Sequence, residues 1–114
     1  MKEKIEAILV KYDPVKLIKM GAPQDEYDSE AQMIYERTTR HFSLEKIHEI
    51  VYDVFVKQFT GGTKYKMEDG EMTSLGEVAS SWTRAKSIIG FYEDYRCIAL
   101  AIKELLDQEN ARRT

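Results

Sequence analysis

Ser43-Leu44-Glu45-Lys46-Ile47-His48-Glu49-Ile50-Val51-Tyr52-Asp53-Val54-Phe55-Val56-Lys57-Gln58 is the stretch whose reading decides the fold class. Leu44, Ile47, Ile50, Val51, Val54 and Phe55 fall three or four positions apart, which in a helix gathers them on one wide apolar face. Ser43 supplies an N-cap hydroxyl, and Phe42 with Ile47 occupies the positions of a hydrophobic staple. The pattern predicts a helix over Leu44 to about Gln58, and a face that wide needs other elements to cover it.

The same periodicity continues outward in both directions. Ile5, Ile8, Leu9 and Tyr12 predict a first helix over Lys2 to Lys11. Asp13-Pro14 reads as an N-cap and first-turn residue for a short apolar turn through Val15, Leu17, Ile18 and Met20, closed by Gly21. Gly21 to Asp28 has loop composition, with Pro23 disfavouring helix at Ala22. Ser29 with Gln32 fits a capping box opening a second helix, whose inner stripe is Ala31, Ile34, Tyr35 and Thr38 and whose outer residues run from Glu30 to Glu36, Arg37 and Arg40.

Beyond Phe59, residues Thr60 to Thr73 hold three of the six glycines and five charges and form a long connection. Within it Lys64–Met67 and Glu71–Thr73 can pair across Glu68-Asp69-Gly70 as a small hairpin. Ser74 with Glu77 repeats the capping-box pattern, and Leu75, Val78, Ala79, Trp82, Ala85, Ile88, Ile89, Tyr92, Tyr95, Ala99, Ile102 and Leu106 form one stripe. An unbroken helix from Ser74 to Gln108 would run about 50 Å, too long for so small a chain, so a kink or break is expected at Gly90.

The expected fold is therefore all-α: a single-domain bundle of four or five helices over residues 1–114, with halves at 1–59 and 74–112 and a core built on Ile8, Leu9, Ile18, Ile34, Ile47, Val51, Val54, Trp82, Ile89, Ile98 and Ile102. A chain of 114 residues with 43% apolar content can form such a core without disulfides or a structural metal. The balance of 17 basic to 20 acidic residues, net -3, with no basic cluster, argues against nucleic acid or anionic lipid as partner. Neither an unbroken apolar leader nor a membrane-length apolar run is present, and the lone Cys97 suits a reducing compartment, so a cytoplasmic location is expected.

Asp25, Glu26, Tyr27 and Asp28 are the candidate partner-binding residues. With Glu30 they give a locally acidic loop, without Lys or Arg between Lys19 and Arg37, and Tyr27 is expected at least half exposed as its aromatic anchor. The calcium-loop pattern fails there, since from Asp25 the sixth position is Glu30 rather than Gly. The plainer reading makes Asp28 and Glu30 helix-dipole partners and leaves Asp25 and Glu26 solvated. Glu45, Glu49 and Asp53, with Glu104 and Asp107, resemble the helix-borne carboxylates of metal-dependent all-helical nucleotide pyrophosphohydrolases, although no cation is set beside them to grip phosphates. Solvated helix faces have the same spacing. His41 and His48 are separated by the Ser43 cap and make a poor metal pair. Ser80, Ser81, Thr83 and Cys97 lack an activating arrangement, and Cys97 reads as a small hydrophobe in an apolar helix. No cofactor, no metal and no enzymatic activity are expected.

Tyr12-Asp13-Pro14, then Gly21-Ala22-Pro23-Gln24-Asp25-Glu26-Tyr27-Asp28, then a helix and Ile47–Phe59, resemble the bacterial family of small uncharacterised proteins that includes the Bacillus YugE protein. The resemblance covers residues 4–59, with Tyr12 in place of the Trp expected before Asp-Pro, and the segment after Phe59 lies outside it. It implies an all-helical protein with no established activity, of a type similar to small acidic immunity or accessory proteins encoded beside bacterial toxin domains. The functional expectation is a protein-binding module covering a basic toxin or regulator surface. The alternatives are the pyrophosphohydrolase-like enzyme and a homodimeric structural protein associating through residues 74–108, where Phe91 and Tyr95 are surplus apolar area.

Overall fold

The computed structural model describes residues 1–16, 19–21, 27–38, 42–60, 65–68, 71–74 and 88–112. Among these, four α-helices are arranged so that each meets its neighbours: α1 (Lys2–Tyr12) packs on α2 (Asp28–Arg37), α2 on α3 (Leu44–Thr60), α3 on α4 (Arg96–Arg112), and α4 returns to α1. Lys4 and Glu109 pair across that last contact at 3.7 Å. The all-α bundle is as the periodicity predicts. It carries one antiparallel hairpin, β1 (Tyr65–Glu68) and β2 (Glu71–Ser74), with Tyr65 opposite Ser74 and Glu68 opposite Glu71. Because Glu68 is itself paired, only Asp69-Gly70 separates the strands, one residue fewer than the sequence suggests and the dipeptide that tight hairpins prefer.

The core is centred on α3. Ile47, Val51 and Phe55 are fully buried with Ile5 and Leu9 of α1, Ile34 of α2 and Ile102 of α4. Buried Tyr52 and Val56 widen the α3 face beyond its expected stripe. Ile89 and Ile98 join this core and Ile8 packs on its edge, whereas Ile18 and Trp82 lie outside the described residues.

Local chemistry explains which end signals operate. Ser43 caps α3 as expected, its Oγ accepting from the Lys46 amide at 3.2 Å. Ser29 does not cap α2: the N-cap position lies two residues earlier, at Tyr27, and the Gln32 amide donates to Glu36 at 2.7 Å instead of reaching back. Asp13 does not open a helix either. It ends α1 in the left-handed conformation at φ 46°, its amide donating to Leu9 O at 2.8 Å. Pro14 cannot extend α1 and disfavours right-handed helix at the residue before it, and Asp is one of the few side chains that tolerates the left-handed alternative.

Two aromatic positions of the expected inner stripes face outward. Tyr12, on the final turn of α1, is 38% exposed, and Tyr35 is 45% exposed because α2 buries only the narrow row Glu30, Ala31 and Ile34. Glu30, expected on the outer face, is thus buried. The break at Gly90 is present: residues 88–89 are helical, Gly90 has φ 82°, and a 3-10 turn (Tyr92–Tyr95) leads into α4.

Candidate protein-binding surfaces

The acidic loop loses its expected anchor. Tyr27 is fully buried, its ring 6.0 Å from that of Phe55, and its hydroxyl donates to Asp13 Oδ1 at 2.6 Å. The other oxygen of the same carboxylate, Oδ2, accepts the Lys19 amide at 2.9 Å. Asp13 thereby joins the end of α1 to the start of α2, and Tyr27 pins the core instead of standing half exposed as expected. An aromatic ring beside carboxylates in a loop suggests exposure; the packing against Phe55 that buries it is a tertiary feature. Asp28 does face solvent, hydrogen-bonded to Lys2. The Lys2 bond holds the Asp28 carboxyl below its usual value, and the same bond raises the Lys2 ammonium. Asp25 and Glu26 lie outside the described residues.

The α3 carboxylates divide. Glu45 and Glu49 are exposed, whereas Asp53 sits in a clamp at 16% side-chain exposure. Asp53 accepts from Tyr65 at 2.6 Å and from Arg37 at 2.8 Å, and pairs with Lys57 at 3.1 Å. Burial pushes this carboxyl up, and the Tyr65, Arg37 and Lys57 donors together outweigh it and leave it below the ordinary value. Burial, then Asp53, pushes the Tyr65 phenol up, so it stays a donor and fastens the hairpin to α3. The expectation that no cation stands beside these carboxylates is therefore corrected: helix crossing brings Arg37 in from α2.

Glu104 is exposed, and Asp107 pairs with Lys103 at 3.0 Å. Among the described residues no group of three or more His, Cys, Asp or Glu is placed to hold a metal ion. His48 is buried, and His41 lies outside the described residues, as do Ser80, Ser81 and Thr83. Cys97 is exposed on the first turn of α4 and does not fill the core as a small hydrophobe. The α4 row that turns inward is Ile98, Ala99, Ile102 and Leu106.

A second surface forms at Gly90, where Phe91, expected as surplus apolar area, is exposed, whereas Tyr95, expected with it, is fully buried. Three aromatic side chains take the carbonyls of this corner. Tyr95 donates to Ile89 O at 2.6 Å, Tyr52 to Gly90 O at 3.4 Å, and His48 Nε2 to Tyr92 O at 2.8 Å, which places the imidazole proton on Nε2. His48 also stacks on the Tyr92 ring at 3.8 Å, and Tyr52 meets Tyr92 and Tyr95 edge-on, each at 5.3 Å. The Phe91 amide donates to Asp94 Oδ2 at 2.9 Å. With its backbone so held, Phe91 leaves its side chain in solvent at 53% exposure, and Ile88 is 42% exposed just before it. Stacking on His48 sets Tyr92 against the turn of α3 that bears Glu45 and Glu49. Burial raises the Tyr92 phenol, and Glu49, Glu45 and Glu93 raise it further against the opposing Arg96. The usable sequence signal was Phe91 off the apolar stripe directly after a glycine.

Fold and surfaces together define an all-α bundle with exposed aromatic and acidic features, in which no described helix is long and apolar enough to cross a membrane. No family model, curated protein or solved structure matches this chain.

Proposed function

We propose that the protein acts by binding another protein, as an immunity or antagonist module that covers a basic surface on a bacterial toxin or regulator. The observation that carries this reading is the stacking of Tyr92 on His48 at 3.8 Å, which sets the exposed Glu93 beside the turn of α3 that bears the exposed Glu45 and Glu49. Asp28 adds a second acidic point at the start of α2. Nuclease sites and nucleic-acid channels are basic, so such a surface competes for their Lys and Arg groups and speeds encounter by electrostatic steering. The resemblance of residues 4–59 to the YugE-containing family points the same way by association. The test is affinity capture from the native host followed by association kinetics over a range of ionic strength. Association that slows as salt rises supports the reading, and salt-independent association refutes it.

A second reading, self-association through residues 74–108, is favoured by the exposure of Ile88, Phe91 and Leu100. Light scattering at micromolar concentration tests it, and a clean monomer refutes it.

A further inference from the structure

Single exposed apolar side chains are usual on a protein surface. Phe91 differs because its backbone is fixed from several sides. Gly90 has a positive φ, and a Cβ there would lie 2.9 Å from Asp94 Oδ2, so the turn is built around glycine. Asp94 holds the Phe91 amide, and the carbonyls on either side are taken by Tyr52 and His48 from α3. A large aromatic side chain is thus held out from a rigid support with little conformational freedom left to lose, which favours binding because immobilisation opposes association.

We propose that this corner, with Phe91 as apolar anchor and, beside the neighbouring Tyr92 stacked on His48, the exposed carboxylates Glu45, Glu49 and Glu93, is a docking surface for an arginine- or lysine-bearing segment of another protein and not for a second copy of this chain. The proposal rests on the protein-binding function above and names the surface that performs it. Charge decides the occupant. In a twofold contact between copies one patch meets the same patch on the other, so this corner, with Glu45, Glu49, Glu93 and Asp94 against Lys46 and Arg96, would meet a surface of the same net negative charge. Like charges brought together at an interface cost affinity, whereas guanidinium or ammonium groups on a partner meet these carboxylates favourably and can also lie over the Phe91 face.

The probe is a synthetic peptide alternating leucine and arginine, with a leucine–glutamate peptide as control, titrated into the full chain and followed by amide NMR shifts and fluorescence anisotropy at low and high salt. The expected result is selective binding of the arginine peptide, with shifts centred on residues 88–96 and on α3 near Glu45 and Glu49. Phe91→Ala should weaken it at least about tenfold. Glu45→Gln, Glu49→Gln and Glu93→Gln combined should do likewise and flatten the salt dependence. Glu36→Gln, an exposed carboxylate on α2, is the control and should bind as the parent does. Phe91 is solvent-facing, so its variant should melt within about 2 °C of the parent.

No binding of the arginine peptide, or equal binding by parent and corner variants, overturns the proposal. So does light scattering that finds a dimer which Phe91→Ala dissolves, since the occupant is then a second copy. A captured host partner whose salt-dependent affinity survives the corner variants but falls with Asp28→Asn overturns this surface and leaves the proposed function standing. Salt-independent capture ends both.

Discussion

Replacing Tyr27 separates a core role from an interface role. The ring is fully buried against Phe55, and the hydroxyl reaches the Asp13 carboxylate at 2.6 Å. Removing a buried aromatic ring costs about 3–5 kcal/mol in lost transfer energy and cavity formation. A hydrogen bond to a charged acceptor contributes roughly 1.5–3 kcal/mol, and the partial burial of this one places Tyr27→Phe near the lower end, about 1–2 kcal/mol. Unfolding entropy near 2.1 cal/mol/K per residue gives roughly 240 cal/mol/K for a chain of 114 residues, so each kcal/mol moves Tm by about 4 °C. Tyr27→Ala should therefore lower Tm by about 12–20 °C, and Tyr27→Phe by about 4–8 °C. Thermal unfolding by circular dichroism and calorimetry, with urea midpoints alongside, measures both. Asp13→Ala and Tyr27→Phe should be less than additive in a double-mutant cycle, because both delete the same bond, while Asp13→Ala alone also loses the Lys19 amide contact and strains the left-handed turn. A drop below about 2 °C for Tyr27→Ala would refute the packing argument and return Tyr27 to the surface, where an interface role predicts an unchanged melting point and weakened binding.

Asp53→Asn should destabilise the fold by about 1–2 kcal/mol at pH 7, since it keeps an acceptor for Tyr65 but loses the charge facing Arg37 and Lys57. Because the folded carboxyl lies below its ordinary value of 3.8, the parent's advantage is full above that value and disappears as pH falls through the lower folded value, so acid titration of both proteins should make their stabilities converge below about pH 4. Gly90→Ala should cost about 1–2 kcal/mol, from the left-handed φ and the approach to Asp94, read as a lower urea midpoint with an unchanged slope. EDTA, magnesium and calcium should each leave Tm unchanged, and a shift of several degrees with magnesium would reopen the pyrophosphohydrolase alternative through Glu45, Glu49, Glu104 and Asp107.

The helices and several of their boundaries could be read from the chain because they depend on near neighbours. The three- and four-residue spacing from Leu44 to Phe55 orients an apolar face whatever it meets, and the Ser43 hydroxyl finds the Lys46 amide within its own turn. Gly90 as a breaking point follows equally from local backbone freedom. Tertiary structure decided which competing local signals prevailed. Ser29 is as good a cap by sequence as Ser43, yet α2 starts at Asp28, in register with a Tyr27 buried against Phe55 and bonded to Asp13. Asp53 is indistinguishable by spacing from Glu49, but only Asp53 faces the crossing that brings Arg37 and Tyr65 to it. The Gly90 corner needs His48 and Tyr52 from α3 to hold its carbonyls, a long-range pairing beside which Phe91 stays in solvent. Periodicity and caps are properties of neighbouring residues, whereas burial and charge environment depend on residues far apart in the chain, which meet only once the bundle has closed.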